Sequence, residues 1–246
     1  MKFSPEHNRL KYWEILYYID YEIDLAIQTL SKVNRLQEAS YGSARKQFED
    51  FVESNRDHLS SLPIDEQGAF QAHYFYDDEM ALIELARIQR YSSVISIFAF
   101  TESKLMTICQ KIEATFILPI KLKKVDARNG DLKKYYDYLT NVFDINELEI
   151  QHAFNEIFEF KFIRNMIVHY GGIVESKDLE KVRIAPGLDL SQIKGGYQIK
   201  FEDEQFVLFL LNKVKTFFKK LLPAIDLRFF EIKESMEVSN RNNKIN

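Results

Sequence analysis

The sequence predicts a mainly all-α protein, and three observations carry that expectation. Apolar residues recur at threes and fours through most of the 246 residues. Eight Gly and five Pro are few for this length, which suits long helices joined by few tight turns. β-Leaning texture is confined to the stretch between Ile173 and Phe201, where KGGYQIKF reads as a small hairpin. The expected architecture is an antiparallel helical bundle with a β-hairpin inserted before the C-terminal helix.

Bulk properties narrow the class. A chain that is 46% hydrophobic and 14% aromatic can bury one substantial core. Its formal charge of −4 argues against holding nucleic acid by bulk electrostatics and leaves room for a local basic groove. The single Cys109 permits no intrachain disulfide, fits a reducing compartment, and has no basic neighbour to make it a nucleophile. MKFSPEHNRLKYWEILYY lacks a signal-peptide pattern, and no apolar run reaches membrane-spanning length. A cytoplasmic protein without a membrane partner is expected.

The elements are taken in chain order. Leu16, Ile19, Ile23, Ala26, Leu30 and Val33 mark a helix from about Pro5 to Gln37, with Tyr12, Trp13, Tyr17, Tyr18 and Tyr21 crowding its first half. A second helix is expected from Ser43 to Leu59. Ser60-Ser61-Leu62-Pro63 breaks the chain, and Asp65 can cap the next helix. Residues 1–62 therefore read as a helical extension and 63–235 as the main helical domain.

From Asp65 to Phe116 one long seam runs through Leu82, Leu85, Ile88, Tyr91, Ile95, Phe98, Glu102, Leu105 and Ile108, with a reset near Asp77-Asp78. Glu102 stands in line with apolar positions. Either it lies at an exposed edge or in a structural ion pair, or it faces Arg164 and orients that guanidinium through a bidentate pair. Pro119 to Asp131 is irregular and, with the helix start beyond it, basic: Lys121, Lys123, Lys124, Arg128, Lys133 and Lys134. Tyr135, Tyr136 and Tyr138 come directly after. Such a segment is either an RNA-contacting edge or an ordinary solvated loop. Asp144-Ile145-Asn146 turns into the helix that ends at Gly171-Gly172. Ile173-Val174, Val182–Ile184 and Tyr197–Phe201 are β-leaning. Periodicity returns from Glu202 to Leu222, where Pro223 stops or kinks the helix and late lysines complement its dipole. Residues 236–246 read as a disordered tail.

The chain is organised around FKFIRNMIVHYGG, residues 160–172. Phe160, Ile163, Ile167 and Tyr170 make a buried stripe at helical spacing. Asn165 and His169 lie one turn apart on one face, so their side chains can meet. Arg164 precedes His169 by about 7.5 Å along the axis and about 140° around it.

This arrangement resembles the Arg-x4-6-His signature of the HEPN superfamily, with Arg164, four intervening residues and His169, and the polar Asn165 directly after the arginine. The resemblance in order of elements runs from about Met80 to Leu222. It implies a HEPN-like bundle and a dimeric, metal-independent endoribonuclease, of the kind found as toxins or phage-defence effectors with an antitoxin or regulatory partner. It also implies a polar residue on the helix facing the motif, for which Glu102 is the candidate. Some such toxins carry Arg-x4-His-x-Tyr with a modified tyrosine. Here Gly171 stands at that place and Tyr170 lies beside the histidine, so that form of control is not expected.

The residues suit the chemistry. A histidine side chain can exchange the ribose 2′-hydroxyl proton, and arginine can hold two phosphate oxygens as charge develops. Arg164, Asn165, His169, Glu102 and Tyr170 are the candidate catalytic set, and the six basic residues are the candidate RNA contacts. The expected products are a 2′,3′-cyclic phosphate and a 5′-hydroxyl. His152 with Glu156, and His73 with Asp77, each offer two ligands at helical spacing and no third, so neither a metal nor a cofactor is expected. No Gly-rich phosphate loop, HExxH or Gly-x-Ser-x-Gly pattern occurs. Two competing readings remain: Arg164 and His169 merely cap the helix end, or the fold is a non-catalytic module that dimerises and binds a nucleotide or protein.

Overall fold

A computed structural model describes residues 10–242, and they are mainly helical with one small antiparallel sheet. In order these are α1 (Ile15–Ser54), α2 (Arg56–Ser61), α3 (Ile64–Gln71), a π turn (Ala72–Tyr76), α4 (Asp77–Thr115), α5 (Asp131–Asn141), α6 (Leu148–Phe158) and α7 (Lys161–Tyr170). Strands β1 (Ile173–Val174), β2 (Leu188–Ile193) and β3 (Gly196–Phe201) come next, and α8 (Gln205–Asn242) is the last element of the described residues.

These elements fall into two compact units, neither of them a single stretch of sequence. The first holds the described residues up to Thr29, Ser96–Arg164, and those from Phe209 onward; the second holds Leu30–Ile95 and Asn165–Leu208. Four helices (α1, α4, α7 and α8) contribute residues to both.

In the first unit the apolar stripes close a core from Leu16, Ile19 and Ile23 of α1, Phe98, Leu105 and Ile108 of α4, and Phe217 and Leu221 of α8. Tyr136 of α5 stacks on Phe154 of α6 with centroids 3.7 Å apart, and Trp13 stacks on Phe229 at 4.9 Å. Of the two outcomes expected at Pro223, a stop or a kink, the stop does not occur, since α8 runs through it to Asn242. An internal proline costs a helix about 3 kcal/mol. Beyond it Ile225 and Phe229 are buried, each contributing roughly 1.5–3 kcal/mol, which outweighs that cost. Buried Asp226 also accepts the Lys11 and Trp13 backbone N–H groups at 2.5 and 2.7 Å. Residues 236–242, expected in a disordered tail, are therefore helical, while 243–246 lie outside the described residues.

The helix expected to Gln37 and most of the one expected from Ser43 to Leu59 are one continuous α1, because a lone Gly42 costs a helix only about 1 kcal/mol, while residues 56–59 fall in α2. Pro5, the expected start, lies outside the described residues, and α1 begins at Ile15. Val33 is exposed while Asn34 is buried in its place. Two full turns after Ile27 fall on residue 34, so the helical period selects it. The reset near Asp77 is the π turn, and Asp65 sits in the first turn of α3, which Pro63 precedes as N-cap. Along α4, Tyr91, Phe98, Leu105 and Ile108 are buried, but Leu85 and Ile88 are exposed. Leu85 lines an open groove with Phe48 and Phe51 of α1 in the second unit.

The motif helix does not start directly after Asp144-Ile145-Asn146. That turn, with Asp144 at φ +66°, leads into α6, and a break at Glu159–Phe160 separates it from α7. In the second unit the sheet order is β1-β3-β2, with Leu188 paired to Phe201 and Ile193 to Gly196. Val182–Ile184 forms no strand, and β2 lies further on than expected. Only Leu188 of β2 is buried, so its alternation is faint and pairing with β3 defines it.

Candidate functional site

The expected site residues divide between the two units, because the division of α7 falls after Arg164. In the first unit α4 carries Glu102 and α7 carries Arg164 and Lys161. Arg164 Nη2 lies 3.2 Å from both Oε1 and Oε2 of Glu102, so one nitrogen bridges the carboxylate. Glu102 thus faces Arg164, as the second of the two readings of Glu102 expects, and both carboxylate oxygens take part. The pair is well covered, with 23% of the Arg164 side chain and 19% of the Glu102 side chain exposed.

Burial pushes the Glu102 carboxyl above its ordinary value, and Arg164 and Lys161 only partly offset this while Asp131 adds to it. Lys161 shifts the other way: desolvation and then Arg164 lower it, against Glu102 and Asp131. The Lys161 ammonium donates to the Asn129 carbonyl, next to Gly130. The sequence pattern did not single out Lys161, although it stands three residues before Arg164 and therefore one turn away on the same helix face.

Glu102 carries a stability prediction. A carboxyl raised in the folded state binds more protons folded than unfolded over the pH window just above the ordinary carboxylate range. Stability is lost there as pH rises. Glu102→Gln, which mimics the protonated group, should be at least as stable as wild type at pH 7. The difference should shrink as pH falls towards 4. Urea unfolding of both proteins across that range measures it, and a variant clearly weaker at pH 7 would mean that the Arg164 contact outweighs burial.

In the second unit α7 ends on two left-handed glycines, Gly171 at φ +60° and Gly172 at φ +82°. The Gly172 N–H returns to the Met166 carbonyl at 2.9 Å. Arg87 Nη1 and Gln198 Nε2 donate to the Gly171 carbonyl at 3.1 and 3.0 Å. Gly172 packs against Tyr91, whose hydroxyl donates to the Ile199 carbonyl at 2.6 Å and accepts from Gln198 at 2.8 Å. Arg87 and Gln198 were not legible as closing residues, since their partner is a backbone carbonyl far away in sequence.

His169 projects from this closed end exposed, and its imidazole makes no hydrogen bond or ion pair among the described residues. Its ring lies 6.4 Å from that of Tyr170. Asn165 is half-buried. Tyr170 is 60% exposed and so leaves the stripe in which Phe160, Ile163 and Ile167 are buried. Its angle around the axis fits that stripe, but it is the last residue of the helix.

The basic segment belongs to the first unit. Lys121, Lys123, Lys124 and Arg128 are exposed, with Arg128 paired to Asp126 at 2.6 Å. Lys133 pairs with Asp137, and Lys134 lies over the Tyr135 ring at 5.7 Å. The neighbouring tyrosines are not available to stack on bases, because Tyr135 and Tyr136 are each 8% exposed and Tyr138 0%. They face the core, where Tyr136 meets Phe154.

Buried Cys109 has its thiol pushed far up by desolvation, which leaves it inert. Among the described residues no group of three or more His, Cys, Asp and Glu is placed to hold a metal ion. An open apolar groove lined by Phe48, Phe51, Leu82 and Leu85 in the second unit includes none of the expected site residues. No helix among the described residues is long and apolar enough to cross a membrane. Comparison with family models, curated proteins and solved structures returns no match to this chain. The HEPN resemblance therefore rests on the residues alone.

Proposed function

We propose that the protein is a metal-independent endoribonuclease in which Arg164 stabilises the developing phosphorane and His169 transfers the proton. One observation carries this reading: other side chains hold the carbonyl at the helix end, and His169 stands exposed beside it. Arg87 and Gln198 hold the terminal carbonyl, Arg164 is oriented by Glu102, and His169 is exposed at the tip of α7. The ribose 2′-oxygen attacks the adjacent phosphorus, the bond to the 5′-oxygen breaks, and a 2′,3′-cyclic phosphate and a 5′-hydroxyl result. The test is cleavage of RNA in EDTA by wild type beside His169→Ala, with the product ends determined. A role as a toxin or phage-defence effector, with an antitoxin or regulatory partner, is implied by the same resemblance.

The active unit in this reading is a homodimer. One α7 offers one arginine and one histidine about 140° apart around its axis, a thin set for a base, an acid and a phosphate clamp. A two-fold axis near the motif helices doubles each group. Light scattering across dilution should show a dimer. Mixing Arg164→Ala with His169→Ala protein should restore part of the activity by subunit exchange. A monomer of full specific activity at high dilution overturns this.

A non-catalytic dimerisation module is favoured by one observation, the exposure of Val168, Tyr170 and Ile173 around the end of α7. The two readings part at His169→Ala, which abolishes a ribonuclease and leaves a binding module intact.

A further inference from the structure

We propose that Lys161 is a positioning residue: it fastens the basic segment 121–130 to α7, so that an RNA strand is held by phosphate contacts running from that segment to Arg164. The proposal rests on the ribonuclease reading only in taking RNA as the ligand.

The segment between α4 and α5 has two tethers inside the first unit. At its start the Leu122 N–H donates to Glu113 Oε1 of α4 at 2.8 Å, and Leu122 is buried. At its end the Lys161 ammonium donates to the Asn129 carbonyl. Lys123, Lys124 and Arg128, all exposed, lie between these points. The second tether fits closely. Gly130 has φ +82°, and a Cβ there would lie 2.7 Å from Lys161 Nζ.

Lys161 opens the helix that carries Arg164 one turn later, so a tether at Lys161 sets the segment against the motif arginine. The charges around it agree: Arg164, Glu102 and Asp131 all act on the Lys161 ammonium. A lysine that only covered the Phe158 ring, 5.3 Å away, would need no carbonyl partner. The chain as a whole is acidic, so phosphate contacts depend on holding a few cations in register.

The experiment measures binding of a single-stranded RNA oligonucleotide against salt concentration, in a His169→Ala background that prevents cleavage. Each phosphate contact on a single strand contributes about 0.7 to the slope of log affinity against log salt. Lys161→Met removes one charge and should lower the slope by about 1.4 or more, because the segment's cations are lost with it. Lys161→Arg, which keeps a donor, should hold the wild-type slope. Gly130→Ala removes no charge but displaces the tether, so it too should lower the slope.

Trypsin reports the fastening without RNA and should cut after Lys123, Lys124 or Arg128 faster in Lys161→Met. A fall of about 0.7 or less in Lys161→Met, or an unchanged cutting rate, overturns the proposal, as does absence of RNA binding at low salt. If wild type leaves RNA intact while the slopes change as expected, the ribonuclease reading fails and the tether stands. If wild type cleaves and the slopes do not change, the tether fails alone.

Discussion

His169→Ala is expected to lower RNA cleavage by about 10²–10⁴-fold, the usual cost of losing a positioned proton-transfer group. Arg164→Ala should cost about 10²–10³-fold, as removal of a donor to developing charge does. The arginine effect should persist in Arg164→Lys, because an ammonium is a point charge and cannot present the planar fork that holds two phosphate oxygens. The His169 loss should fall on kcat, since that group acts on protons transferred in the transition state. EDTA should leave the wild-type rate unchanged. Single-turnover cleavage of an end-labelled oligonucleotide, with and without EDTA, measures all of this. Activity that survives His169→Ala and dies in EDTA would assign the protein to a different enzyme class. His169→Ala should leave the fold intact, because that side chain is exposed. Thermal melting of the same preparations separates lost chemistry from lost fold for both variants.

Gly172→Ala is expected to destabilise the protein by about 2–5 kcal/mol, the sum of a backbone cost and a packing cost. An L-residue in the left-handed region costs roughly 1–2 kcal/mol, and Gly172 has φ +82°. The new Cβ would also run into the Tyr91 hydroxyl, whose bonds to Ile199 and Gln198 would be strained or broken. Leaving a buried polar group unpaired costs a further 1–3 kcal/mol or so, on the order of the backbone cost. Gly171 supplies the internal control. It has φ +60° but nothing within 4 Å of an added Cβ, so Gly171→Ala should cost only about 1–2 kcal/mol. Urea unfolding of the two variants gives the difference directly. Equal losses would show that backbone conformation alone accounts for both positions, and that the packing against Tyr91 carries no weight. Because α7 ends there, Gly172→Ala should also lower cleavage by displacing His169.

The sequence by itself determined the class of the fold and the composition of the candidate site. Local periodicity is a property of neighbours three and four residues apart. That is why the helical stripes of Leu16, Ile19 and Ile23, the seam from Tyr91 to Ile108, and the placing of Arg164 and His169 on one helix were all legible. Gly171-Gly172 was legible as a helix stop for the same local reason. Tertiary packing decided the rest. It carried α8 through Pro223, because Ile225, Asp226 and Phe229 find buried partners beyond it. It turned Tyr135, Tyr136 and Tyr138 inward and left Tyr170 out, since angle around a helix does not say whether a neighbour is present at that height. It set Glu102 against Arg164, with Nη2 between the two carboxylate oxygens. It brought Lys161 to the Asn129 carbonyl and Arg87 to that of Gly171. These last contacts join residues tens of positions apart through backbone carbonyls, which every residue possesses. No side-chain pattern could have announced them.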